Sequence, residues 1–248
     1  MQEYIVIYLK GLAMGAADVV PGVSGGTIAL ITHIYERLIK AIDNVSLTLV
    51  LQLFGRNKKA AWQTLDGSFL LTLALGISTS ILLVSSGVSW LLSAYPVPLW
   101  AFFFGLILAS AFVLKKSVTK WDITALVSLL IGFFVAFGIS LITPSTGSDS
   151  LLYLFLCGVL VIVAMILPGI SGAFILILLG AYETALNTLE KLKNFDTEGI
   201  LIFFVMALGG LVGLKTFSRI LRWLFNKNKN IVLAAMTGFL MGSLFKVW

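Results

Sequence analysis

One phrase occurs twice in this chain, and it limits what the chain can fold into. Residues 21–36 begin Pro21-Gly22-Val23-Ser24-Gly25-Gly26-Thr27 and end Tyr35-Glu36. Residues 168–183 begin Pro168-Gly169-Ile170-Ser171-Gly172-Ala173-Phe174 and end Tyr182-Glu183. At an offset of 147, seven of the sixteen positions are identical. Each copy interrupts a strongly apolar stretch with residues that stop one helix and start another. Paired interruptions of this kind in the two halves of a membrane protein are the best sequence-level pointer to a transport site.

The composition requires a membrane. The 248 residues are 59% hydrophobic and 11% charged, with mean hydropathy +1.06, more apolar surface than a soluble fold of this size can hide. Several apolar runs reach the ~20 residues that cross a bilayer. A single cysteine, Cys157, excludes a disulfide framework, and a single histidine, His33, excludes a multi-histidine zinc or haem site. Glu3 precedes the first apolar run and Lys10 interrupts it, so no cleavable leader is expected. The net charge of +6 does not indicate nucleic acid, because the cations lie in short inter-helix loops, as the positive-inside rule requires.

The chain reads as an all-α integral membrane protein forming a single polytopic domain. Full spans are expected at about 67–91, 97–114, 121–142, 199–221 and 230–247, with hairpins over about 4–40 and 151–189. Arg37, Lys40, Arg56, Lys58 and Lys59 surround the long loop 41–66. Lys115, Lys116 and Lys120 follow the span ending near 114, and Arg219, Arg222, Lys227 and Lys229 crowd the last turn. Loops 92–98 and 143–150 carry no cation, and 190–198 has three acids against two lysines. With the N-terminus cytoplasmic, every basic loop falls inside, provided each hairpin returns to its own side.

The repetition continues at an offset of 133. Ala74-Leu75-Gly76 matches Ala207-Leu208-Gly209, and Trp90-Leu91 matches Trp223-Leu224. Ala101, Gly105, Ser110 and Phe112 match Ala234, Gly238, Ser243 and Phe245. The fourteen residues between the two offsets are absorbed by loop 41–66. Repeat 1 therefore covers about 4–118, the linking helix about 121–142, and repeat 2 about 151–248. The odd linking helix flips the second half, making the two inverted repeats. Each consists of a hairpin followed by two spans.

Residue counts place the hairpin tips. Lys10 lies eleven residues before Pro21, and Glu36 twelve after Ser24. At ~1.5 Å per helical residue, both charges stand roughly 17–18 Å from the tip, near half of a ~30 Å hydrocarbon core. Re-entrant hairpins are therefore preferred to short tilted spans. Proline stops the ascending helix, and the glycines permit tight turning. Ser24 and Ser171 are placed to cap the helices that follow, Thr27 less directly. Helix N-termini offer N–H groups and a positive dipole end to an anion. The candidate anion site therefore comprises Gly22, Ser24, Gly25, Gly26, Thr27, Gly169, Ser171 and Gly172. A Pro-Gly kink with packing glycines is the alternative.

Asp18 stands three residues before Pro21 in an apolar run, at a depth where a carboxylate is costly. It is either a proton- or cation-coupling group or a carboxylate bonded to hairpin N–H groups. Its counterpart is Met165, so the site is asymmetric. Glu36 and Glu183 line an entry route or anchor the hairpin bases. Lys215 snorkels to the cytoplasmic side or pairs with phosphate. Arg37 is a candidate for attracting anionic head groups or a solvated topological charge. His33 reads as a packing or hydrogen-bonded residue rather than a proton relay. No metal site or cofactor is expected.

The stretch Gly11 to Thr27 (GLAMGAADVVPGVSGGT), with Met165 to Gly172 (MILPGISG), resembles the PopT family of polyprenyl-phosphate transporters. The resemblance extends over nearly the whole chain, through Tyr95-Pro96-Val97-Pro98, the Phe-Phe-Phe-Gly run at 102–105 and Gly242-Ser243-Leu244. It implies a plasma-membrane protein, not an enzyme, that returns undecaprenyl phosphate from the outer to the inner leaflet. Its partners would be that lipid, bilayer lipids and, as an open question, a second copy in a homodimer. Members of the family can carry Asn at position 18, so a carboxylate there is not obligatory. On this reading the phosphate is held between the two tips while one repeat rocks against the other. A secondary transporter of a small ion or anionic solute is the rival, because it uses the same broken helices.

Overall fold

The computed structural model describes residues 2–19, 23–54 and 58–247, and every regular element among them is an α-helix. Pro21, Gly22 and Arg56 lie outside the described residues. The first half contains α1 (Gln2–Asp18), α2 (Gly25–Ile31), α3 (Tyr35–Asn44), α4 (Leu47–Phe54), α5 (Lys58–Thr64), α6 (Gly67–Ala94) and α7 (Pro96–Ser117). After α8 (Ile123–Leu141) come α9 (Leu151–Ile166), α10 (Gly172–Leu178), α11 (Tyr182–Lys193) and α12 (Thr197–Val247).

The packing is that of a protein in lipid. Leu82, Leu83 and Phe134 are more than 60% exposed, while Ser24, Thr27, Ser110 and Ser243 are almost completely buried. Helices α7, α8 and α12 are each long and apolar enough to cross a bilayer; α5 with the first part of α6 makes another such stretch, bent by 63°. At about 1.5 Å per residue, α12 has more than twice the length of one crossing. It breaks at Asn228, whose backbone is non-helical (φ −158°, ψ 93°) and whose side chain accepts a hydrogen bond from Ile231 N at 3.3 Å, as an N-cap does. The expected turn between the last two spans is thus a one-residue break. At Tyr95, α6 ends and α7 starts with Pro96 at its first position, where a missing N–H costs nothing.

The region 41–66, expected as a loop, instead contains the end of α3 and all of α4 and α5. The returning limbs of the hairpins are also not straight. α2 stops at Ile31 and α10 at Leu178, and the chain turns before α3 and α11, by 115° in the second case. Counting ~1.5 Å per residue from Ser24 to Glu36 therefore overstates the depth of the tip on that limb.

Glycine contacts recur under both offsets. A Cβ on Gly11 would meet the carbonyl of Leu73, and one on Gly158 that of Met206. A Cβ on Gly76 would meet the carbonyl of Tyr8, and one on Gly209 that of Phe155. The α1–α6 and α9–α12 crossings thus use corresponding residues, with backbones touching as small-residue membrane interfaces allow. The α8 helix lies against the arm of α12 that follows Asn228, where Gly132 meets the Ala235 carbonyl and Gly238 that of Leu129. Gly105, the counterpart of Gly238, has nothing within 4 Å.

Candidate functional site

The two hairpin tips meet in the interior. Ser24 caps α2, its hydroxyl accepting from Gly26 N at 3.1 Å, and Ser171 caps α10, accepting from Phe174 N at 3.2 Å. Both caps sit in extended backbone, as the sequence required. The first hairpin also serves the second. The last carbonyls of α9 have no partner in their own helix, and two of them find one across the interface. Ser24 Oγ donates to the Met165 carbonyl at 3.2 Å, and the Tyr35 hydroxyl donates to the Ile166 carbonyl at 3.0 Å. In return, Gly169 N donates to Thr27 Oγ1 at 3.0 Å. A Cβ on Gly26 would stand 2.8 Å from the Ile166 carbonyl oxygen, so this approach needs glycine. Gly169 has φ +88° and faces the Ser243 hydroxyl.

Asp18 lies at the end of α1 and accepts a hydrogen bond from Gly25 N at 2.6 Å, through Oδ1. The first N–H of α2 is therefore taken by the protein's own carboxylate, where partial positive charge favours an anion. At the second tip the equivalent residue is Met165, whose side chain would meet a Cβ on Gly172. Both tips carry a serine cap, and they differ in charge.

A cation that the sequence reading missed lies beside the second tip. Lys246 Nζ is 4.3 Å from the ring centroid of Phe174, in the first turn of α10. The available signal was weak: a lone lysine at the end of an apolar helix reads as a flanking charge.

The other candidate residues lie at the hairpin bases. Arg37 holds Asp66 with Nε at 2.5 Å and Nη2 at 3.0 Å, reaches Glu3 with Nη1 at 2.8 Å, and lies 4.4 Å from the Phe69 ring centroid. The Asp66 contact raises its already high pKa further, and its position ties α1, α3 and α6 together. Glu36 pairs with Lys229 at 2.5 Å, just past the break in α12. Glu183 is exposed in the first turn of α11. Lys215 donates to the carbonyl oxygens of Asp43 and Val45, closing the end of α3.

Asp43 was not singled out from the sequence, yet it is the focus of this end. Its side chain is only 11% exposed and has Arg222 at 2.8 Å, Lys215 at 3.6 Å and Arg219 at 3.7 Å. Its Oδ1 makes no hydrogen bond and meets the two farther cations through charge alone. A cavity of about 730 Å³ opens nearby, lined in part by Leu30, His33, Tyr35, Glu36, Lys229 and Asn230. Tyr35 joins it to the tips through the bond to Ile166.

Comparison with known proteins agrees with the resemblance seen in the motifs. The sequence model of the VCA0040-like family, described as undecaprenyl phosphate translocase-like, matches residues 14–248. A polyprenyl-phosphate transporter of Vibrio cholerae is 41% identical over 246 residues, covering 99% of this chain and 78% of its own length. A polyprenyl-phosphate transporter of Staphylococcus aureus is 31% identical over 261 residues, covering 100% of this chain and 88% of its own. No solved structure matches.

Proposed function

The chain belongs to the undecaprenyl phosphate translocase-like family, and from that premise we propose that it moves polyprenyl phosphate from the outer to the inner leaflet of the plasma membrane. The observation that carries the reading is the pair of buried, serine-capped tips docked on each other, in a chain 41% identical to a protein named for that transport. A lipid monophosphate needs donors for its head at depth, while its tail stays in lipid. Nonhelical backbone at that depth is tolerated where protein covers it or a wet cavity adjoins it.

In this proposal the two halves are inverted repeats, each with a re-entrant hairpin, and the N-terminus is cytoplasmic by the distribution of cations. The head group binds between the tips, chiefly on the α10 side, because Asp18 already occupies the first N–H of α2. The set consists of Ser24, Gly25, Gly26 and Thr27 with Gly169, Ser171 and Gly172, to which Lys246 adds charge; Gly22, expected in the set from the sequence, lies outside the described residues. Helix ends supply only about half a charge each, so a full cation matters. Protonation of Asp18 would remove its negative charge and weaken its hold on Gly25 N, letting the phosphate compete for that donor, which makes Asp18 the coupling candidate. No cofactor takes part, and chemistry on the lipid is not proposed.

The test is leaflet exchange of polyprenyl phosphate in proteoliposomes, read by an impermeant probe of the outer leaflet. Wild-type protein should accelerate it. Ser171→Ala and Lys246→Ala should each slow it by about tenfold, the loss of roughly one charge-assisted hydrogen bond. Asp18→Asn should flatten its pH dependence. Wild-type protein that moves no lipid phosphate but carries a small anion would replace this reading with that of a solute transporter.

A further inference from the structure

The tips hold the phosphate but give no path to the lipid chain. Beside the second tip, α9, α11 and the first arm of α12 enclose a groove of about 450 Å³, with Gly158, Val161, Ala185, Ala207, Gly210 and Leu211 among its walls. That volume lies in the range of small-molecule sites, about 300–1,000 Å³, enough for a section of a long chain. The groove wall contains no charged side chain, and its one hydroxyl, Thr188, donates to the Thr184 carbonyl at 2.6 Å. Leu211 at its lip is 63% exposed, so the groove opens sideways towards lipid.

Two features separate this groove from an ordinary packing gap. It is continuous with the tip: Val161 lines it, and a Cβ on Gly172 would stand 3.0 Å from Val161 Cγ1. In addition, corresponding positions of the first half are packed into its core. Under the offsets relating the halves, Val161 corresponds to Met14, Ala185 to Leu38, Phe203 to Leu70 and Met206 to Leu73. In the first half Met14 and Leu73 belong to the core, and Leu38 and Leu70 pack against it. The second half carries smaller residues at the first two positions. The same architecture that is filled in one repeat is left open in the other, next to the tip that has no carboxylate of its own.

We propose that this groove holds a stretch of the isoprenoid chain of the transported lipid while its phosphate lies at the second tip. The inference rests on the proposed transport of polyprenyl phosphate. A branched, flexible hydrocarbon suits a wall of small residues, and the lateral opening lets the rest of the chain remain in the bilayer. Adding bulk inside the groove should therefore discriminate by chain length, which changes at the tip should not.

The experiment compares a long polyprenyl phosphate with a two-isoprene phosphate in proteoliposomes. The variants are Ala185→Leu, which installs the residue of the first half, and Ala207→Leu as an independent filling; melting temperature verifies folding. The expected result is a drop of about tenfold or more for the long lipid, the scale on which pocket methylenes discriminate, with the short one unchanged. Ser171→Ala should lower both equally. If folded variants move both lipids at wild-type rates, or lose both in equal measure, the groove does not hold the chain although the transport reading survives. A photoreactive residue at position 207 that captures ordinary phospholipid in preference to polyprenyl phosphate would also overturn it. If the wild type moves neither lipid phosphate, the transport reading fails and the groove inference with it.

Discussion

His33 and Gly180 occupy the same place in the two hairpins, with φ of 61° and 62°. Each follows a short helix closed by matching bonds: Ile34 N to the Ala29 carbonyl and Ala181 N to that of Leu176, both 2.9 Å. His33 N reaches the Leu30 carbonyl, and Gly180 N that of Ile177. These are Schellman closures, in which glycine fits the left-handed position and histidine is strained. The C-cap carbonyls are covered too, by Lys10 at Thr32 (2.7 Å) and by the Tyr153 hydroxyl at Leu179. His33→Gly should therefore raise stability by about 1 kcal/mol, seen as a higher melting temperature in detergent. Gly180→Ala should lower it, because the new Cβ would stand 2.5 Å from Gly147 N as well as in left-handed backbone.

Among elements, α3 acts as a strap over the break in α12. Asp43 near its end holds the arm before Asn228 through Arg222, Lys215 and Arg219, and Glu36 near its start holds Lys229 just after it. Removing this largely buried carboxylate takes away the shared partner of three cations that keep access to water. Lys215 and Arg222 keep other acceptors, so the cost is that of charged hydrogen bonds, about 1–3 kcal/mol. Asp43→Ala should therefore destabilise by that amount in a denaturation assay, and Arg219→Ala, whose side chain is 73% exposed, only slightly. The glycine crossings make a second prediction. Gly209→Leu should disrupt the α9–α12 contact, whereas Gly105→Leu, facing open space, should be tolerated. At the start of α8, Asp122 accepts from the Thr124 hydroxyl at 2.7 Å and Ala125 N at 2.8 Å, which holds its carboxyl below the usual range. A lowered folded-state pKa means that this cap stabilises fully above the ordinary carboxylate range and fades as pH falls through the lowered value. Asp122→Asn should remove that part of the acid sensitivity in pH-dependent melting.

For the molecule as a whole, two similar halves carry different surfaces. Each half has a hairpin crossing a long helix through glycines, but Asp18 marks one tip and Lys246 the other. The halves meet through the bonds of Ser24, Thr27 and Tyr35 with residues 165–169, through the α3 strap on α12 and through an apolar core that both share. Rocking one half against the other would require all three to rearrange. The orientation can be tested by cysteine accessibility in a Cys157→Ala background. Ala94→Cys should react with an impermeant reagent from outside and Lys116→Cys only after permeabilisation.

The order of helices, the apolar exterior and the repeated tips were legible in the sequence because they depend on local chemistry: apolar runs of crossing length, helix breakers, capping serines. The missed features depend on residues brought together from distant positions. Asp43 is an ordinary acid in a basic region until α12 brings three cations against it. Lys246 is a terminal charge until it reaches Phe174. The helices α4 and α5 were hidden by their shortness, eight and seven residues, and the breaks before Tyr35 and Tyr182 by the absence of proline there. The sequence by itself determined a repeated helical membrane protein with two polar interruptions, since hydrophobic length and backbone chemistry act locally. Only the tertiary structure decided that one tip caps the other's helix, that Asp18 occupies an N–H of its own hairpin, and that one half leaves a groove where its twin is filled. The first depends on groups that meet across 141 residues of chain, the second on how α1 meets α2, which chose between two alternatives the sequence left open, and the third on the packing of three separate helices; no local pattern records any of them.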